Sequence, residues 1–245
     1  MGGCSGKQSL EHPLPKAIWR NPLITFDGFG WQEGGTATLP IKGVGQSILC
    51  TDHNSKLSWI DSTAEPFFRT LEKFQLRQVQ RRGAKRSAIW KVDRYQMDGH
   101  VFEKLLLKIG LGFAQDRKGT TWHETGSSVM SPPISMLDIL FGGKRFEPPL
   151  GVYAINQEGD EIHGEEHFAM HTLDHPETGG IVGFTMSFRG YQFYLSIVEM
   201  PLDKWAFRSL TEKVIGKGGG TPTYRPTALH MNAGPKRSGV ITFVW

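Results

Sequence analysis

Apolar side chains first gather into a regular pattern near the second quarter of the chain. Phe67, Leu71, Phe74 and Val79 recur at helical spacing, behind the capping stretch Asp61-Ser62-Thr63-Ala64-Glu65-Pro66. That order predicts a helix over 66–82, with Pro66 in its first turn and Arg69, Lys73, Arg77 and Arg81 on its polar face. Asp98-Gly99 reads as a turn, and the apolar run Val101–Phe113 as a second helix. Ser131-Pro132-Pro133, then Ile134–Phe141 and Gly142-Gly143, has the signals of a short capped helix. Beyond residue 146 the pattern changes. Gly151–Asn156, Ile181–Phe188 and Tyr191–Met200 are rich in β-branched and aromatic residues, and the last two flank a hairpin turn at Arg189-Gly190. Val240–Trp245 is a final strand-like run. The expected class is α+β in three parts: a small module over 1–65, a helical segment over 66–145 and a β-rich antiparallel region over 146–245.

Composition excludes some alternatives. The 245 residues are 38% hydrophobic and 21% charged, which is a globular balance. Two cysteines are too few for a disulfide scaffold and suit a reducing compartment, so the expected location is cytoplasmic. No apolar run has the length of a membrane span. The formal charge of +4 conceals two opposed stretches. Lys73, Arg77, Arg81, Arg82, Lys85, Arg86 and Lys91 make 73–92 a run of +7 with no acidic residue, whereas 146–188 carries −8 with no lysine or arginine. The basic stretch is a candidate for neutralising nucleic-acid phosphates; a solvated helix face is the alternative.

Two short segments carry chemistry. The first is Glu11-His12-Pro13-Leu14-Pro15, with Cys4 ahead of it; the second is Cys50-Thr51-Asp52-His53-Asn54, followed by Leu57-Ser58 and Asp61. Cys50-x-x-His53 places a thiol and an imidazole on one turn, the spacing of a zinc knuckle. Asp61 reads as a cap for the helix that follows.

Together these segments resemble the HNH nuclease family, in the group whose motifs read Glu-His-x-x-Pro and Cys-x-x-His-Asn-x-x-Leu-Ser. The resemblance covers residues 1–61. It implies a ββα-metal fold with His12 as the general base toward water, and with Glu11 and Asn54 holding Mg²⁺ or another divalent cation. It also implies a structural Zn²⁺ on Cys4, Cys50 and His53. The expected activity is hydrolysis of DNA phosphodiester bonds, with Lys73, Arg77, Arg81, Arg82, Lys85 and Arg86 gripping the backbone. A zinc-dependent nucleic-acid-binding protein with a decayed nuclease site is the alternative. In this family the first knuckle is Cys-x-x-Cys, and the partner of Cys4 would fall at Met1. The long interval between His12 and Cys50 requires an extended β-hairpin across its aromatic and glycine-rich stretches, and Asn21 is a candidate by residue type for orienting the base.

Other features read as ordinary. His163, His167, His171 and His175 recur every four residues; on a helix they would face one side with Glu165 and Glu166 as further metal ligands, whereas on a strand they share a face as surface histidines, the preferred reading. Trp90, Trp122 and Trp205 read as core, and the glycines of 216–220 lack the spacing of a phosphate loop.

Overall fold

The computed structural model describes residues 6–15, 19, 21–27, 36–82, 92–114, 120–124, 127–155, 167–189, 191–198, 222–233 and 236–245. In chain order the elements are β1 (Gln8–Glu11), β2 (Leu23–Asp27), β3 (Ala37–Pro40), a 3-10 turn at Ile41–Val44, β4 (Gln46–Cys50), α1 (Thr51–Arg82), β5 (Asp93–Asp98) and α2 (Gly99–Ala114). There follow β6 (Trp122–Glu124), β7 (Ser127–Val129), α3 (Ile134–Phe141), β8 (Gly151–Ala154), β9 (His167–Asp174), β10 (Ile181–Phe188), β11 (Tyr191–Ser196), β12 (Thr223–Tyr224), β13 (Ala228–Ala233) and β14 (Lys236–Val244). The α+β class holds. Trp90, Trp205 and the 216–220 glycines lie outside the described residues, and no helix among the described residues is long and apolar enough to cross a membrane.

Helix α1 begins fifteen residues earlier than the pattern predicts, and Pro66 lies inside it. A proline inside a helix removes one hydrogen bond and costs about 3 kcal/mol. The buried stripe Leu57, Ile60, Ala64, Phe67, Leu71 and Phe74 runs unbroken through that position, so apolar burial outweighs the cost. The expected cap residues serve another purpose: Ser62 and Thr63 donate their hydroxyls to the carbonyls of Ser58 and Trp59 one turn back. Asp61 is mid-helix and does not cap. The turn at Asp98-Gly99 is instead the start of α2, where Asp98 Oδ1 accepts the backbone N–H of His100 at 2.8 Å and of Val101 at 3.1 Å.

Helix α2 is buried on nearly every side. Gly110 lets it lie directly on the sheet, since a Cβ there would stand 2.6 Å from the Phe184 ring. Beneath it the main sheet runs β12-β8-β11-β10-β9-β2-β3, with β6 beside β10 and β7 beside β6. The hairpin β10–β11 turns at Arg189, whose φ is 51°. The C-terminal strands are mostly antiparallel, but β14 pairs parallel with β5, and β2 pairs parallel with β9. Strands from the first sixty residues thus complete a sheet built mainly from the last hundred. One hydrophobic cluster reaches from Leu14 to Phe243, and Phe102 lies 5.0 Å from the Phe67 ring, 4.9 Å from Phe193 and 5.3 Å from Phe243.

A polar lock ties α2 to the C-terminus. The buried Glu103 accepts Arg225 through Nε at 3.0 Å and Nη2 at 3.2 Å, and also the Val152 backbone N–H at 3.2 Å. Arg225 donates to the Phe146 carbonyl at 2.7 Å and lies 5.3 Å from both the Tyr224 and Trp245 rings. Every charge in the lock is paired, as burial requires.

Candidate functional site

Strands β1 and β4 form a separate antiparallel ribbon, Gln8 opposite Cys50 and Glu11 opposite Gln46, and β4 runs directly into α1. The helix folds back over the ribbon. Asn54, in its first turn, donates to Ser9 Oγ at 2.9 Å and to the Leu10 carbonyl at 3.5 Å. Two turns further on, Asp61 meets the end of β1. Ser9 and Glu11, alternate residues of the strand, therefore face the helix.

At the β4–α1 junction, Cys50 Sγ lies 3.1 Å from His53 Nδ1 and accepts the His53 backbone N–H. Cys50 is buried, and the His53 ring packs edge-on against Phe141 at 5.1 Å. Strand pairing puts this pair at one end of the ribbon and His12 at the other, with Asn54 between. His12 is half-buried beside Gly45, where an added Cβ would lie 2.9 Å from His12 Cε1. Cys4 lies outside the described residues. Among the described residues no three His, Cys, Asp or Glu side chains converge to hold a metal ion. Cys50 and His53 are two donors of suitable chemistry for zinc, half of a tetrahedral set.

Glu11 is engaged by a residue the motifs do not contain. Lys108, from α2, places Nζ 2.8 Å from Glu11 Oε1 and 2.7 Å from each oxygen of Asp61. Its contact with Glu11 is a buried charge pair, and Asp61 accepts it in bidentate fashion. Lys108 and Glu11 are almost wholly buried; the Asp61 side chain is 31% exposed. Burial pushes both carboxyls above their ordinary pKa, outweighing the attraction of Lys108. Lys108 was detectable in sequence. Glu103 and Lys108 are charges within a run too apolar to have a solvent face, and such charges must be paired.

Beside this cluster opens a cavity of about 600 Å³, floored by Glu11 and Lys108. Its walls come from β4, α1, α2 and α3 through Leu49, Leu57, Leu111, Leu137, Leu140 and Phe141, and the exposed Met130 and Ile134 stand at its mouth.

The remaining expected residues are dispersed. Lys73 is exposed, 3.8 Å from Asp93 Oδ1. Arg77, Arg81 and Arg82 continue α1, while Lys85 and Arg86 lie outside the described residues. Asn21 accepts the Leu23 backbone N–H at 3.0 Å, a local turn contact. The interval before β4 holds a short pair, β2–β3, which belongs to the main sheet and not to the ribbon. His167 and His171 of β9 line a polar cavity of about 330 Å³ with Asp27 and the buried Thr185; His175 accepts backbone N–H groups in the next turn, and His163 is outside the described residues. Trp122 is fully buried, as expected of core.

Compared with models of known families, with curated proteins and with solved structures, the chain matches none.

Proposed function

We propose that the ribbon β1–β4 and the start of α1 form an HNH-like nuclease module that hydrolyses DNA phosphodiester bonds. One observation carries the reading. An antiparallel strand pair runs straight into a helix and collects His12, Cys50, His53 and Asn54 around that single unit. His12 stands just past a strand end, and in this reading it takes a proton from water. The Asn54 amide is fixed through its Nδ2, which leaves its carbonyl oxygen for a hard cation. A divalent ion such as Mg²⁺, when bound, neutralises charge on the phosphate and on the leaving oxygen. Zn²⁺ on Cys50 and His53, with Cys4 as a further ligand, would clip the strand to the helix. The basic end of α1 lies beyond the module and supplies backbone contacts without base readout.

A second reading is a nucleic-acid-binding protein whose nuclease site has decayed. It is favoured by Lys108, whose ammonium already occupies the Glu11 carboxylate that a metal would need. Plasmid nicking in Mg²⁺ by wild type and by His12→Ala separates the two. The nuclease reading expects nicking that falls by about a hundredfold or more in the variant. Nicking that is absent from wild type, or equal in both proteins, removes it. Retained duplex binding whose salt dependence flattens when Arg77, Arg81 and Arg82 are neutralised would leave the second reading standing.

A further inference from the structure

The cavity beside Glu11 has the character of a small-molecule site: apolar walls contributed by three helices and a strand, with charge confined to one end. Its size suits a medium-sized ligand, and Met130 and Ile134, 81% and 75% exposed, carry the apolar surface out to its rim. The charged end is unbalanced. Glu11 and Asp61 are two carboxylates sharing one ammonium, with Lys108 Nζ 2.7 Å from both oxygens of Asp61 and 2.8 Å from Oε1 of Glu11. Glu11 lines the cavity and is buried to 3% exposure, with a share in Lys108 as the positive charge against it. One more positive group at that position would leave two cations for two carboxylates. An anionic head would instead meet a cluster already negative and lose on desolvation as well.

We propose that this cavity binds a small amphiphilic amine, its apolar body held between α1, α2 and α3 and its ammonium paired with Glu11. On binding, Lys108 remains with Asp61 while the ligand takes over Glu11, so no charge is left buried alone. The proposal concerns binding alone and does not rest on the nuclease reading.

Isothermal titration calorimetry of the full-length chain with octylamine, octanol and octanoate tests it, since the three probes share one alkyl body and differ in the head. Octylamine should bind saturably at one site, about tenfold or more tighter than octanol, with octanoate weakest. Glu11→Gln should weaken octylamine about tenfold and leave octanol within about twofold. Leu137→Trp, at a half-buried wall position, and Ile134→Trp, at the exposed rim, should each obstruct all three probes without disturbing the fold. Octanoate binding as tightly as octylamine, no saturable binding of any probe, or an unchanged octylamine affinity in a folded Glu11→Gln protein overturns the proposal. The ranking of heads on wild type stands as a test even if a variant fails to fold.

Discussion

Replacing Lys108 with methionine keeps an unbranched apolar stem one atom shorter and removes the only cation between Glu11 and Asp61 shown in the cluster. At 2.8 Å and an effective dielectric of about 20, each attraction to Lys108 is worth about 6 kcal/mol before solvation is counted. Desolvating the three ions offsets several kcal/mol apiece, and the partial exposure of Asp61 screens its share. The remaining quantity is the cost of leaving two carboxylates buried without their partner, about 3 kcal/mol. That cost depends on pH with a definite sign. Both carboxyls already titrate above their ordinary range in the folded protein, and losing Lys108 raises them further. The folded state then binds more protons than the unfolded one, so the variant is least impaired below the unfolded carboxylate values of about 4 and loses stability as pH climbs through the raised folded values. Urea melts at pH 5 and pH 7.5 should show the larger deficit at pH 7.5. The combined change Glu11→Gln, Asp61→Asn and Lys108→Met should recover most of the loss, because no ion is then buried alone. A deficit under about 1 kcal/mol at pH 7.5, or one equal at both pH values, would refute the assignment of this cluster as a buried, mutually dependent triad.

Two further substitutions probe how the helices are fastened to the sheet, with urea melts followed by circular dichroism as the measurement. Gly151 has a φ of +123° and its missing Cβ points at Glu103 Oε1, so Gly151→Ala should cost about 3 kcal/mol; a neutral effect would mean that Glu103 does not occupy that space. Arg225→Lys retains the charge but loses the fork that spans both Glu103 oxygens and the Phe146 carbonyl, and should cost about 2 kcal/mol, whereas an unchanged midpoint would reduce the lock to a simple charge contact.

How far the fold was legible depended on whether an element carries its own pattern. Helix α3 has the predicted bounds, Ile134–Phe141, with proline directly before it and glycine directly after. The β10–β11 hairpin was legible for the same reason: two strong strand runs enclose a two-residue turn. The start of α1 was not, because proline chemistry and apolar periodicity disagree at Pro66 and only tertiary burial of Leu57 and Ile60 decides between them. Nor does any local pattern reveal that β2 will lie beside β9, or β5 beside β14. Those pairings join segments more than a hundred residues apart, and a strand's own alternation says which face is buried but not which neighbour covers its edge.

The site divides along the same line. Cys50 and His53 meet because three residues make most of a helical turn, so their contact follows from spacing alone. Glu11 is a metal ligand in the sequence reading only through the resemblance of its motif, which says nothing of what distant residues bring to its charge. The competitor is Lys108, 97 residues on, brought in by α2 packing against α1. What becomes of the Glu11 carboxylate is therefore set by helix packing and not by its motif. An ammonium held at 2.8 Å and a divalent cation would make the same electrostatic demand on one oxygen, and only one of them can be met at a time. It follows that any cation affinity at Glu11 and the stability of this cluster would be linked: a substitution that frees Glu11 from Lys108 should raise the affinity of Glu11 for a cation, whether metal or amine, by the amount of pairing it removes.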